Sequence, residues 1–261
     1  MAEFGLDGRV VVISGGAGGI GSAAALELAQ HGAKIALLDL RAEESKHTVE
    51  QVESAGGVAK AFAADVTNEE SVQNALDAVE AELGPIYGVV PAAGITRPAR
   101  ADQMPFEDFK AIIDVNLTGT WLVARAAAQR IIARGDSGSM VLIGSIDSLG
   151  GHEGRSNYAA TKHGVVGMAK SLALDWGRLG IRVNVVCPGP VETPMLLNVF
   201  SQSGILDKLF YPRMPIGRLA KPADEARAIT YFLSDYSDYI TGAVMPVDGG
   251  LATGFLSQIE D

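Results

Sequence analysis

An apolar run, a glycine-rich turn and a helix-favouring stretch follow one another at the start of the chain. In the run from Arg9 to Ile13, all residues after the arginine are apolar and β-branched, which is typical of a buried strand. Ser14 to Gly21 follows directly, and Ser22 to His31 favours a helix. Glycines let the backbone turn tightly, and the amides and dipole of a helix N-terminus attract phosphate. This order predicts a dinucleotide site; the alternative is a glycine turn that binds nothing.

Two glycine registers fit the turn. Gly16, Gly18, Gly19 and Gly21 match G-x-G-x-x-G, whereas Gly15, Gly19 and Gly21 match G-x-x-x-G-x-G. Spacing alone leaves both open.

The second predicted strand, Lys34 to Leu38, ends at Asp39, eighteen residues after Gly21. A carboxylate there accepts hydrogen bonds from ribose hydroxyls and repels the additional phosphate of NADP. The sequence therefore predicts NAD as cofactor. Two alternatives remain: Asp39 is an ordinary solvated acid, or Arg41 accommodates a phosphate.

Strand-like apolar runs alternate with helix-favouring segments along the whole chain. Besides the two strands above, the candidates are residues 59–64, 86–90, 140–144, 181–187 and 243–247. This alternation predicts an α/β fold with a single Rossmann-like, doubly wound parallel sheet of about seven strands and helices on both faces. Site motifs run from residue 14 to 193, so we expect one domain over 1–261. Ligands of such sheets bind at the carboxyl ends of the strands.

Composition narrows the class of protein. A formal charge of −10 argues against a nucleic-acid or anionic-membrane partner. No apolar run is long enough to span a bilayer, and the first residues lack the basic region and apolar core of a signal peptide. We therefore expect a cytoplasmic protein without a membrane partner. Cys187 is the only cysteine, which excludes an internal disulfide and predicts a small buried hydrophobe.

A tyrosine and a lysine, Tyr158 and Lys162, lie four residues apart in a helix-favouring run, and Ser145 precedes Tyr158 by thirteen residues. Positions i and i+4 share a helix face. A phenol titrates near ~10 in water, and an adjacent cation favours the phenolate and lowers that pKa. The pair therefore indicates proton transfer, although the same spacing is common on helix surfaces. The histidines show no metal-ligand spacing, and no metal is expected.

With these parts in order, the chain resembles the short-chain dehydrogenase/reductase family over nearly its whole length. The motifs that carry the resemblance are the turn at 14–21, Asp65-Val66, Asn116-Leu117-Thr118-Gly119, Ser145, Tyr158-Ala159-Ala160-Thr161-Lys162, and residues 187–193. The family favours the register Gly15, Gly19, Gly21. One departure is Pro91-Ala92-Ala93-Gly94, where the family usually has Asn-Asn-Ala-Gly.

The resemblance implies a catalytic set of four residues. Tyr158 is the general acid or base, Lys162 lowers the phenol pKa and binds the nicotinamide ribose, and Ser145 holds the substrate oxygen. Asn116 positions a water that connects Lys162 with solvent. Taken without the family, Asn116 is better explained by helix packing.

The resemblance also implies the cofactor contacts. They are Ser14, Gly15, Gly19, Ile20, Gly21, Asp39, Asp65, Val66, Ala93, Gly94, Tyr158, Lys162, Pro188, Gly189, Val191 and Thr193. For Asp65 a helix N-cap is an equal alternative, and Pro188 to Thr193 can also be a simple turn.

Substrate contacts are expected from the loops. The predicted set is Ser145, Asp147, His152, Tyr158 and Met195, with an apolar lid over about 190–215. The apolar lid favours a hydrophobic or alicyclic secondary alcohol over a polyol; a core or subunit interface explains the same pattern equally well.

These observations lead to one main hypothesis, an NAD-dependent alcohol dehydrogenase. An acyl-thioester (acyl-carrier) ketoreductase and a non-catalytic nucleotide-sensing protein are the alternatives. Family resemblance also implies a homotetramer, formed through the helices that contain Asn116 and Tyr158 and through the C-terminal region. There, Leu251, Phe255, Leu256 and Ile259 can pack on a neighbouring subunit or on their own.

Overall fold

A computed structural model of the protein describes residues 4–200 and 213–254. It contains one seven-stranded sheet in the order β3-β2-β1-β4-β5-β6-β7, and every neighbouring pair is parallel. The strands are Val10–Ser14 (β1), Lys34–Asp39 (β2), Val58–Ala63 (β3), Ile86–Pro91 (β4), Gly138–Ile143 (β5), Ile181–Pro188 (β6) and Val244–Val247 (β7). The predicted fold class is confirmed.

Helices cover both faces of this sheet. They are Gly19–Gln30 (α1), Lys46–Ser54 (α2), Glu69–Leu83 (α3), Phe106–Ile113 (α4), Thr120–Arg134 (α5), Ser156–Trp176 (α6), Pro194–Phe200 (α7) and Pro222–Leu233 (α8). Of the predicted lid, residues 201–212 lie outside the described part of the chain, as do Phe255, Leu256 and Ile259 of the C-terminal tail.

The alternation of side chains along β1 divides the core into two layers. Val10 and Val12 belong to an apolar cluster with α3, α5 and α6, whereas Val11 and Ile13 belong to one with α1, α2 and α8. Each face of the sheet is therefore covered by helices, as a doubly wound sheet requires. Cys187 of β6 is buried, as predicted.

The helix-favouring stretch from Phe106 to Arg134 is not one regular helix. Between α4 and α5 the backbone forms a π-helical segment, Asp114–Gly119. Such segments widen a helix locally and occur frequently at functional sites. Here the segment contains Asn116 and packs against α6, where a Cβ on Gly164 would lie 3.0 Å from Leu117.

The strand order reverses between β1 and β4, which places a crevice at their carboxyl ends. No helix within residues 4–200 and 213–254 combines the length and apolar character needed to cross a bilayer.

Candidate active site

The backbone of the glycine turn favours one of the two registers. Gly15 and Gly19 adopt positive φ angles of 73° and 58°, which side-chain-bearing residues rarely adopt. Gly21 makes a close backbone approach, because a Cβ there would lie 2.2 Å from the Gly15 carbonyl oxygen. A Cβ on Gly18 would meet no neighbour within 4 Å. Gly15, Gly19 and Gly21 therefore all require glycine; of the other register, Gly16 is also blocked, by the Leu37 side chain at 2.6 Å, but Gly18 is not.

Side chains from outside the turn hold it in place. The buried Thr48 hydroxyl donates to the Gly16 carbonyl oxygen (2.9 Å), and the Asp39 carboxylate accepts from the Ala17 amide (2.8 Å) and the Ser45 hydroxyl (2.6 Å). Burial is the main cause that raises the pKa of Asp39. The carboxylate predicted to bind ribose thus lies at the end of β2 and also braces the glycine turn.

A cavity of about 660 Å³ extends along the carboxyl ends of β1 to β4. The predicted cofactor residues that line it are Gly15, Gly19, Ile20, Gly21, Asp39, Asp65, Val66, Ala93, Gly94 and Thr193. Ser14 does not line it: the hydroxyl is buried and accepts from the Ala93 amide at 3.3 Å. The elongated cavity and the glycines whose Cβ positions are blocked fit a dinucleotide.

Asp65 is not the N-cap of α3. That role belongs to Asn68, whose side chain accepts from the Ser71 amide at 2.9 Å. Asp65 instead accepts from the Thr67 amide and hydroxyl. The helix-cap alternative for Asp65 is therefore wrong.

The unusual Pro91-Ala92 sequence lies at the end of β4. Pro91 pairs with Ser14 of β1, and the Ala92 amide donates to the Ser14 carbonyl oxygen at 3.0 Å. On the other side, the β4–β5 ladder pairs only Gly88 and Val89, within the described residues. This part of the sheet is thus braced against β1 by the main chain of Pro91 and Ala92 and by the Ser14 hydroxyl, which accepts from the Ala93 amide.

Ser145, the predicted catalytic serine, precedes a short 3₁₀ turn after β5. The Ser145 hydroxyl accepts from the Asp147 amide at 3.1 Å, and the Ser145 amide donates to the Ser148 hydroxyl at 3.1 Å. Ser148 in turn donates to the Lys162 carbonyl oxygen at 2.8 Å. These bonds fasten the turn to α6, so Ser145 and Tyr158 face one cavity.

Tyr158 is the third residue of α6, and the preceding residue, Asn157, fixes the position of its backbone. The Asn157 side chain is fully buried, accepts from the Tyr158 amide (2.7 Å) and donates to the Arg97 carbonyl oxygen (3.0 Å). The start of α6 is thereby tied to the loop after β4.

Lys162 and Asn116 lie behind Tyr158. The buried Lys162 ammonium donates to the Ile143 carbonyl oxygen at 2.8 Å, and its nitrogen is 5.4 Å from the centre of the Tyr158 ring. Burial lowers the pKa of Lys162 to about 8. The Asn116 side chain makes two 2.9 Å bonds with the backbone of Ile95. This pairing braces the loop after β4; the water-positioning role of Asn116 remains a prediction.

The charge environment of Tyr158 differs from the prediction. Burial raises the pKa of Tyr158, and the cation that most opposes this rise is Arg155, not Lys162. The guanidinium carbon of Arg155 lies 4.2 Å from the centre of the phenol ring. The role of Lys162 in lowering the phenol pKa stays a prediction, and Arg155 is a second cation beside the ring that the sequence analysis did not name.

A second cavity of about 260 Å³ opens over Tyr158 and Ser145. Other predicted residues that line it are Ile20, His152, Pro188, Gly189, Val191, Thr193 and Met195. Asp147 does not line it. Its side chain, 4% exposed, lies behind the wall, with carboxylate oxygens 3.5 Å from His152 Nδ1 and 3.4 Å from Arg155 Nη1.

Sequence reasoning missed Arg155 and Thr96 in the cavity wall. Neither belongs to a quoted motif, and the only available signal was the position of Arg155 three residues before Tyr158. No cluster of three or more potential metal ligands occurs among the residues that the structure describes.

Comparison with known proteins agrees with this geometry. The family model described as enoyl-(acyl carrier protein) reductase matches residues 15–252. The chain is 37% identical to a 3-oxoacyl-[acyl-carrier-protein] reductase of Thermotoga maritima, covering 94% of this chain and 98% of that one. It is also 37% identical to D-threitol dehydrogenase of Mycolicibacterium smegmatis, over 95% and 94% of the two chains. A gluconate 5-dehydrogenase structure from Burkholderia cenocepacia, in complex with NADP and tartrate, superposes with a TM-score of 0.91 at 34% identity, over 97% of this chain and 98% of that chain.

Fold, site and relatives together define an oxidoreductase that acts on CH–OH groups with a nicotinamide cofactor. The chain belongs to the short-chain dehydrogenase/reductase family.

Proposed function

We propose that the protein is an NAD-dependent dehydrogenase that interconverts a small secondary alcohol and its ketone. The observation that carries the proposal is the junction of the two cavities. Ile20, Ile143, Thr193 and Met195 line both, so a dinucleotide in the larger cavity would extend to the smaller one, where Ser145 and Tyr158 lie.

Each catalytic side chain has a defined task. A bound nicotinamide would supply the hydride acceptor for oxidation of the alcohol and the hydride donor for reduction of the ketone. The Tyr158 oxygen takes the hydroxyl proton during oxidation and supplies it during reduction. Ser145 donates a hydrogen bond to the substrate oxygen, and Lys162 holds the nicotinamide ribose. Asn116 connects Lys162 to solvent through a water.

Asp39 supports NAD over NADP. Its carboxylate lines the larger cavity at the end of β2, where an acid would accept from the ribose hydroxyls of NAD and would lie close to the further phosphate of NADP. Two negative charges at close range repel each other. The neighbouring Arg41 is exposed and paired with Glu44, which reduces its availability to a phosphate.

The smaller cavity supports a compact, largely apolar substrate. The described residues enclose about 260 Å³, and Pro98, Pro190, Met195 and Leu196 form much of the wall. Such a wall favours a hydrophobic or alicyclic ring beside the reacting carbon. We propose that His152 and Met195 of this wall contact the substrate. Asp147 would influence the site indirectly, through its contacts with His152 and Arg155.

Two further parts of the proposal concern the whole assembly. Exposed aromatic side chains on α4 and α5, namely Phe106, Phe109 and Trp121, support a homotetramer formed through these helices. We place the protein in the cytoplasm. Light scattering and cell fractionation test the two statements.

The decisive experiment measures NADH formation over linear, aromatic and alicyclic secondary alcohols, with NADP and the Tyr158→Phe variant as controls. We expect turnover with NAD that falls roughly a thousandfold in Y158F, because the ring remains while the proton carrier is lost. Tyr231→Phe, a tyrosine of α8 outside both cavities, is the matched control. Unchanged activity in Y158F would reject the mechanism, and absence of turnover with every alcohol, despite NAD binding, would favour a sensing role.

An acyl-thioester ketoreductase is the second candidate. The likeness to the Thermotoga enzyme favours it, whereas Asp39 disfavours the phosphate of NADPH. Adding an acetoacetyl thioester and NADPH to the same panel separates the two: faster NADPH oxidation with the thioester than NADH formation with any alcohol would select the reductase.

A further inference from the structure

A charged group that the proposed mechanism leaves unused lies against the catalytic tyrosine. The guanidinium carbon of Arg155 is 4.2 Å from the centre of the Tyr158 ring, closer than the Lys162 nitrogen at 5.4 Å. A cation over the face of an aromatic ring is attracted by the ring's electrons, and more strongly when the site is dry. Only 21% of the Arg155 side chain is exposed.

The surroundings of Arg155 hold it against the ring. The nearly buried Asp147 carboxylate lies 3.4 Å from Nη1, and Nη2 donates to the Thr96 hydroxyl at 3.4 Å. Asp147 Oδ2 and Arg155 Nε are buried without a hydrogen-bond partner within the described part of the protein. A buried carboxylate without a cation beside it is costly, so Asp147 restrains Arg155 where it lies.

We propose that Arg155 is a positioning residue, which stacks on Tyr158 and supplies the positive charge that favours its proton-accepting, anionic form. The inference rests on the proposed function, since it assigns a role within that proton transfer. Lys162 is the more distant cation, since its nitrogen lies 5.4 Å from the ring centre and donates to the Ile143 carbonyl oxygen.

The charges that face Tyr158 come from three places. Arg155 and Lys162 lie on α6 or at its start, Asp147 comes from the turn after β5, and His152 and Glu153 line the same cavity from the intervening loop. Arg155 lowers the pKa of Tyr158, whereas burial and Asp147 raise it. Removing the guanidinium therefore moves the pKa upward, and the phenolate forms only at higher pH.

The test titrates Tyr158 directly by phenolate absorbance, as the difference between each variant and the same variant carrying Y158F. With Arg155→Met we expect the midpoint to rise by roughly one pH unit, since an opposite charge at this range has been lost. Arg155→Lys keeps a cation on a flexible stem, so its midpoint should stay close to that of the wild-type protein. Arg100→Met, which removes an exposed arginine, is the matched control and should leave it unchanged.

A parallel measurement uses kcat/KM against pH at saturating NAD with the best alcohol of the panel. Oxidation requires the phenolate, so the rising limb should move upward with the optical midpoint. A lower rate at every pH with an unmoved limb would overturn the proposal in favour of a structural role. A raised KM with an unmoved limb would overturn it in favour of direct substrate binding.

The optical titration needs no substrate and keeps the two proposals separable. Failure of all alcohols to react would reject the proposed function but leave the titration decisive for Arg155. If far-ultraviolet circular dichroism shows that R155M is unfolded, Arg155→Gln serves as the same test. Coincident midpoints for wild type and the neutral variant would refute the role of Arg155.

Discussion

The cleft has a nucleotide half, which is the larger cavity, and a substrate half, which is the smaller cavity over Ser145 and Tyr158. The two halves are formed by different kinds of groups. In the nucleotide half, backbone geometry makes the site: positive-φ glycines, a carbonyl that excludes any Cβ at Gly21, and an Asp39 carboxylate that braces the turn. In the substrate half, side chains make it: Ser145 and Tyr158 face the cavity, Arg155 stacks on Tyr158, and the buried Asp147 and Lys162 lie behind them. Backbone sites tolerate few residue types, whereas charged clusters can be assembled in many ways. One half is therefore suited to a constant ligand and the other to a variable substrate.

The strongest test of the backbone half is Gly21→Ala. A Cβ there would lie 2.2 Å from the Gly15 carbonyl oxygen, so the turn must move. We expect a loss of about 3 kcal/mol in unfolding free energy and loss of NAD binding, measured by thermal denaturation and fluorescence titration. Gly18→Ala, in the same turn and with open space around its Cβ, should unfold like wild type. Equal stability of the two variants would contradict the assignment of steric need.

Asp39 tests whether the nucleotide half also selects its ligand by charge. For Asp39→Asn we expect the ratio of kcat/KM with NAD to that with NADP to fall about a hundredfold, close to 2.7 kcal/mol. The amide retains an acceptor for Ala17 and Ser45 but no longer repels a phosphate. A variant with an unaltered ratio would show that Arg41 or another group sets cofactor preference.

Glu225 of α8, which lines neither cavity, tests the cost of burying a carboxyl group outside the cleft. It is fully buried, neither carboxylate oxygen has a partner among the described residues, and burial raises its pKa from 4.5 to about 9. Between these values the native state binds more protons than the unfolded state, so the stability that Glu225 contributes declines as pH rises. Glu225→Gln should therefore exceed wild type in unfolding free energy by about 2 kcal/mol at pH 6, and the difference should shrink toward pH 4.5 and grow toward pH 8.

The adjacent Asp224 is the control for that measurement. Its hydrogen bond and ion pair with Arg218 lower the pKa of this carboxyl, so its contribution is present at neutral pH and lost on acidification. Asp224→Asn should thus be less stable than wild type at pH 7, the opposite sign. Urea denaturation at a series of pH values resolves both; a pH-independent difference for E225Q would show that Glu225 has a partner or is hydrated.

The sequence predicted the backbone elements of the molecule well and the side-chain arrangement of the substrate half less well. All seven strands were predicted within two residues, because buried parallel strands are short apolar runs between recognisable turns. The positions of Ser145 and Tyr158 on one cavity followed from motif order. By contrast, nothing in the order of residues shows that Arg155 bends back over Tyr158 or that Asp147 lies behind His152. Side-chain direction in a loop depends on the packing of distant elements. The π-helical segment at Asn116 was missed for a similar reason, since its composition is that of an ordinary helix.

The smallest expected effect concerns His152, and it separates substrate contact from control of the tyrosine. His152 lines the smaller cavity and lies 3.5 Å from the same carboxylate that holds Arg155, but it does not stack on the phenol. For His152→Ala we expect KM for the alcohol to rise roughly fivefold, the value of one ordinary hydrogen bond, with kcat little changed.

The pH profile of this variant decides the point. If His152 only contacts substrate, the rising limb of kcat/KM stays where wild type has it, in contrast to the shift expected for R155M. His163→Ala on the exposed face of α6 controls for the loss of an imidazole elsewhere. A limb that moves in H152A would mean that Asp147 couples both side chains to Tyr158. The substrate half would then act as one charged unit, and its division into contact and positioning residues would not hold.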